Sequence, residues 1–117
     1  MYGNYFKFKE FLSTETGLDN SISSSAHLAN IASLWDVLNY LRDKLGQPII
    51  INSAFRTPAV NRAVGGAKRS LHMQGRAADI QTSPMYLGEL WKLVEHYDAM
   101  YGLSEKILYP TFIHIAI

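Results

Sequence analysis

The sequence predicts an α+β fold, a small and mainly antiparallel sheet flanked by helices. Two observations predict it. Helical signals fill the first part of the chain, and short strands follow with helices interspersed until two strands close the sequence. At 117 residues, one domain spanning residues 1–117 is expected. The apolar fraction of 48% is enough to build a core for it.

Residues Phe6 to Leu12 suit a short helix. The segment Ser13 to Ser25, rich in Ser, Thr, Asn and Gly, reads as an ordered surface loop. Leu28, Ile31, Leu34, Trp35, Leu38, Leu41 and Leu45 recur at three- and four-residue spacing, which makes one apolar stripe of an amphipathic helix. Gly46 stops that helix and Pro48 follows. Ile49-Ile50-Ile51 is β-branched and short, as a buried strand should be. Thr57-Pro58 offers an N-cap and a first-turn proline for a short helix ending at Gly65-Gly66. Ala77 to Gln81 reads as a strand. Ser83-Pro84 opens a further helix to about Tyr97, with Leu87, Leu90, Trp91 and Val94 inward. Short strands near Lys106 to Tyr109 and Phe112 to Ile117 complete the series.

Composition removes several function classes. The formal net charge is +1, without the basic stripe of a protein that neutralises phosphates, so no nucleic-acid partner is expected. The balance of apolar and charged residues is that of a folded chain. No apolar run approaches the ~20 residues that cross a bilayer, so no membrane insertion is expected. Met1 to Glu10 alternates aromatics with lysines and does not read as a signal peptide. The chain has no cysteine, which excludes disulfides and thiolate metal sites. A metal site here has to use His, Asp or Glu.

Strand alternation draws attention to two such residues. Ala78 and Ile80 share one face, whereas Ala77, Asp79 and Gln81 share the other. Ile113, Ile115 and Ile117 likewise lie opposite Phe112, His114 and Ala116. Asp79 and His114 are each an ionisable side chain within an apolar strand. A buried, unpaired carboxylate costs several kcal/mol, so Asp79 needs a compensating partner, and a cation qualifies. His72 lies in the small-residue loop Ser70 to Gly75, and Gly75 allows a turn that brings His72 toward Asp79. Two His and one Asp without a thiolate suit one zinc ion with its fourth position open, which is the pattern of catalytic rather than structural zinc. The same residues also read as a surface His, a solvated Asp and a core His.

The stretch Ser53-Ala54-Phe55-Arg56-Thr57-Pro58-Ala59-Val60-Asn61-Arg62-Ala63-Val64-Gly65-Gly66, followed by Ser70-Leu71-His72-Met73-Gln74-Gly75-Arg76-Ala77-Ala78-Asp79-Ile80, closely resembles the M15 family of zinc peptidases. That family includes D-Ala-D-Ala carboxypeptidases and phage endolysin peptidases. Its pattern runs S-x-x-R, then N-x-x-x-G-G, then S-x-H-x-x-G-x-A-x-D, and every fixed position is met. Phe112-Ile113-His114-Ile115 looks like the family's third-ligand strand. Phe11, Gly17 to Asn20 and Pro48 to Ile51 look like its compact phage and prophage branch.

The resemblance implies a zinc metallopeptidase that cleaves peptidoglycan stem or cross-link peptides, with one zinc per chain on His72, Asp79 and His114. It implies that Arg56 faces the site and pairs with a substrate carboxylate or a polarised carbonyl oxygen, a task its planar fork suits. It places Ser70 near the substrate or in the shaping of the ligand loop, and makes Asn61, Gly65 and Gly66 architectural. It also implies a protein held in the cytoplasm until release and acting at the cell wall. Neither the bond cleaved nor the oligomeric state is legible.

One position departs from the family. Many members carry an Asp or Glu three residues before the last His, to accept the attacking water's proton. Here that position is Thr111. Glu105, from the preceding strand, is the nearest replacement, and Asp98 a weaker one. The alternative is a zinc-binding module that holds cell-wall peptides and cleaves them slowly or not at all. Among other residues, His27 is expected to be exposed at the start of the long helix, and His96 near a helix end. Tyr2, Tyr5, Phe6 and Phe8 suit the wall of a sugar or peptide groove, but such a stretch more often packs an N-terminal segment onto the core, which is the expectation here.

Overall fold

The apolar stripe in the first half of the chain forms helix α1, Ser25–Leu45, in a computed structural model that describes residues 3–117. Ser24 caps it by accepting a hydrogen bond from the His27 N–H at 3.2 Å. Gly46 ends it in the left-handed region at φ +69°, where its N–H donates to the Arg42 carbonyl. Ile31, Leu34, Leu38 and Leu41 are fully buried. Leu28 is exposed, because it falls beyond the N-terminal end of the buried stripe. His27 is half-buried rather than exposed, and its ring lies 5.8 Å from that of Phe55.

The remaining elements are β1 (Ile50–Ser53), α2 (Pro58–Ala63), β2 (Ala77–Gln81), α3 (Leu87–Tyr101), β3 (Glu105–Leu108) and β4 (Ile113–Ala116). Turns of 3₁₀ helix occupy Phe8–Phe11, Leu71–Gln74 and Pro84–Tyr86. The strands form one antiparallel sheet in the order β1-β2-β4-β3. The α+β expectation therefore holds, with strand ends shifted by a residue or two.

Ile49 to Ile51 is not the wholly buried strand its composition suggested. β1 is an edge of the sheet, so alternation splits its isoleucines: Ile51 is buried, while Ile50 is 55% exposed. Alternation is equally plain in the central pair. Ala78 lies opposite Ile115 and Ile80 opposite Ile113, and all four are fully buried. They join Ile31, Leu34, Leu38, Leu90 and Val94 in one core. Each large aliphatic side chain there contributes about 1.5–3 kcal/mol by leaving water. Phe11 is fully buried too, 4.9 Å from the Trp35 ring, with Phe6 against its edge. Tyr5 and Phe8 remain exposed, and Tyr2 lies outside the described residues. Among the described residues, no helix is long and apolar enough to cross a membrane.

The loop before α1 is ordered by one buried side chain. Asn20 donates through Nδ2 to the carbonyls of Leu12 and Phe55, both at 2.9 Å, and accepts from the Thr57 N–H at 2.8 Å. It thereby ties three chain segments together. Thr57 in turn caps α2 by accepting from the Val60 N–H, with Pro58 in the first turn.

Two substitutions test these constraints. Asn20→Ala leaves three backbone groups without partners and should lower unfolding free energy by roughly 3 kcal/mol, measured by urea denaturation. Gly75 sits at φ +72°, and an added Cβ would lie 2.8 Å from the His27 carbonyl oxygen. Gly75→Ala should therefore destabilise by more than the ~1–2 kcal/mol that left-handed backbone costs an ordinary residue.

Candidate metal centre

The pairing of β2 with β4 sets Asp79 directly opposite His114. The row continues across the sheet through Ser53 on β1 and Ile107 on β3. Because the neighbouring positions on both strands face the core, Asp79 and His114 project from the other side of the sheet. His114 Nδ1 lies 2.8 Å from Asp79 Oδ1.

His72 reaches the same point from the 3₁₀ turn Leu71–Gln74. Ser70 starts that turn by accepting from the His72 N–H at 3.2 Å, and Gly75 ends it at positive φ. The His72 ring is almost entirely buried. Its Nδ1 donates to the Ala54 carbonyl at 2.6 Å, and its Nε2 is turned toward Asp79 Oδ1 at 3.3 Å. One donor atom from each of His72, Asp79 and His114 lies within 4.8 Å of the others.

The charges respond to this proximity. Burial pushes the Asp79 carboxyl up, but hydrogen bonds with His114 and His72 outweigh it and hold the group well below the usual carboxylate range. His114 is raised, chiefly by its bond to Asp79, against burial and with help from Glu105. Burial lowers Arg56, and the Asp79 charge partly offsets that. A buried carboxylate with two imidazoles turned toward it, one with its tautomer fixed from behind, fits a divalent first-row ion such as zinc. His72, Asp79 and His114 would hold it.

These residues form the floor of a cleft of about 320 Å³ that Arg56, Ser70 and Glu105 also line. Arg56 is tightly held. It donates through Nε to Ser53 Oγ at 3.0 Å, and through the two ends of its fork to Asn61 Oδ1 and Asp79 Oδ2, each at 3.4 Å. Asn61 also donates to the Ala67 carbonyl, and an added Cβ at Gly66 would collide with its amide. Asn61 thus does more than end a helix, since it steadies Arg56. Ser53 does so too, and its signal was the first position of the S-x-x-R pattern.

Glu105 meets His114, with Oε1 at 2.8 Å from His114 Nε2. Lys106 pairs with Asp98 at 2.9 Å, and Asp98 also accepts from the Leu103 N–H. Asp98 does not line the cleft. Thr111 occupies the turn between β3 and β4 and borders Gln81 and Thr82, away from the cleft. His27 and His96 are not part of the ligand cluster. Sequence reasoning missed one wall: Tyr109 and Phe112 stack at 4.6 Å across the hairpin and, with Ile107, make one side of the cleft apolar.

Comparison with known proteins agrees with this geometry. A family model described as Peptidase M15 matches residues 4–116. The zinc D-Ala-D-Ala carboxypeptidase of Streptomyces albus G is 39% identical over 61 residues, which cover 50% of this chain and 24% of that relative. The match thus spans about a quarter of the relative's length. With a family model covering nearly all of the chain, the protein belongs to the Peptidase M15 family.

Proposed function

We propose that this chain is a zinc-dependent peptidase that hydrolyses peptide bonds in the stem or cross-link peptides of bacterial peptidoglycan. The observation that carries the reading is the convergence of His72 Nε2, Asp79 Oδ1 and His114 Nδ1 on one point in an open cleft. The named activity of the Streptomyces albus G relative supports the substrate class. Zinc, one per chain, would polarise the scissile carbonyl and lower the pKa of a water.

The chain's own residues supply the remainder. Arg56 presents a fixed cation beside the ligands and orients a substrate carboxylate or carbonyl oxygen. Ser70 shapes the ligand turn and borders the peptide. Glu105 is the cleft carboxylate assigned to take the water's proton and deliver it to the leaving amine. The apolar side formed by Ile107, Tyr109 and Phe112 shields one side of the bound peptide. The similarity of Phe11, Gly17 to Asn20 and Pro48 to Ile51 to the phage-type branch supports a role in lysis, with the protein retained in the cytoplasm until release to the wall. D,D- and L,D-bonds both remain within this assignment.

A second reading is favoured by the position of Thr111 outside the cleft and the engagement of Glu105 with His114. In that reading the chain binds zinc and cell-wall peptides but turns over slowly or not at all.

Metal analysis of unstripped protein should give about one zinc per chain, and His72→Ala should abolish it. Zinc-loaded protein incubated with pentapeptide and cross-linked muropeptides should release new amines or free D-Ala. Full zinc occupancy without any such product would decide for the binding module. If Glu105 is the base, Glu105→Gln should lower kcat by about 100-fold or more. Unchanged turnover in that variant would remove Glu105 from the chemistry.

A further inference from the structure

The two imidazoles of the cluster are each held from behind, by different means. His72 donates from Nδ1 to the Ala54 carbonyl, a backbone group in the buried interior. His114 has its Nδ1 at 2.8 Å from Asp79 Oδ1 and its other nitrogen, Nε2, at 2.8 Å from Glu105 Oε1. Its ring therefore spans two carboxylates, one inside the cluster and one outside. We infer that Glu105 is a positioning residue of the metal site, whose carboxylate accepts from His114 Nε2–H and keeps Nδ1 turned toward Asp79 and His72. The inference rests on the metal reading above and adds to Glu105 a role separate from proton transfer.

Sheet geometry explains how Glu105 reaches the ring. In the β3–β4 pair, Glu105 lies opposite Ala116 and Ile107 opposite His114. Glu105 and His114 are thus diagonal neighbours on one face, within reach of a long side chain. Ala116 is fully buried and presents only a methyl group, so the Glu105 side chain can lean across it. Lys106 projects to the opposite face and is paired with Asp98, which leaves Glu105 to His114. A carboxylate behind a ligating His fixes its tautomer and ring orientation and makes the ligand more basic. The Ala54 carbonyl does this for His72 from a sheltered position, whereas the Glu105 side chain is 46% exposed. Of the two supports, Glu105 is the one that a substitution can remove without disturbing the core.

The test uses zinc affinity, measured by competition with a chromogenic chelator on wild type, Glu105→Ala and Glu105→Gln. The glutamine amide oxygen still accepts from Nε2–H but cannot take a proton. Glu105→Ala should weaken zinc binding by roughly 10- to 100-fold, while Glu105→Gln restores most of the affinity even where its turnover is lost. The visible spectrum of the cobalt-substituted protein should change in Glu105→Ala and stay like wild type in Glu105→Gln. Equal thermal unfolding of the metal-free proteins would assign the difference to the site rather than to folding. Wild-type affinity in Glu105→Ala, or equal losses in both variants, overturns the positioning role. Absence of zinc binding in wild type overturns instead the metal reading on which it rests.

Discussion

The register between β2 and β4 is the constraint on which the cleft depends. With Asp79 opposite His114, the flanking pairs Ala78–Ile115 and Ile80–Ile113 all fall on the core face. A slip of one residue would bury Asp79 among α1 and α3 side chains and turn isoleucines out to water. The hydrophobic demand of four fully buried residues therefore holds Asp79 and His114 in place. The core and the site are two sides of the same pairing, and neither can shift alone.

The second organising feature is the short segment after β1, from Ala54 to Thr57. Its backbone is engaged from several directions. Ala54 accepts from His72, Phe55 donates to the Phe11 carbonyl, Arg56 donates to the His72 carbonyl, and Asn20 grips both Phe55 and Thr57. One segment thus supports His72, carries Arg56 and joins the N-terminal loop to the sheet. The Asn20 amide is buried with its polar atoms satisfied, as a group removed from water must be. Rigidity of this kind suits a site whose groups must already stand in place before a substrate arrives.

Charge is distributed in the same economical way. Asp79 receives His72, His114 and Arg56 around one carboxylate. Its burial alone would favour the neutral acid, and its neighbours reverse that. Arg56 is fixed by Ser53 and Asn61 on the sides away from Asp79, so it presents a cation of set direction. Tyr109 and Phe112, stacked at 4.6 Å, line the same cleft, so the groove offers apolar as well as charged surface.

Much of this was legible in the chain by itself. Helical spacing announced α1, Thr57-Pro58 and Gly46 marked helix ends, and strand alternation put Asp79 and His114 on the face away from the isoleucines, because these signals depend on local geometry alone. The Ser-Arg, Asn-Gly-Gly and Ser-His-Gly-Ala-Asp spacings pointed to the family. What tertiary structure decided was everything that depends on strand order and long-range partners. β1 became an edge and exposed Ile50 because, among the described residues, β2 alone pairs with it. Lys106 found Asp98 across the fold, and Glu105 found His114 across Ala116 rather than its sequence neighbour. Adjacent residues on a strand point to opposite faces, so the partner of each charge was chosen by the strands and helix that fold against it.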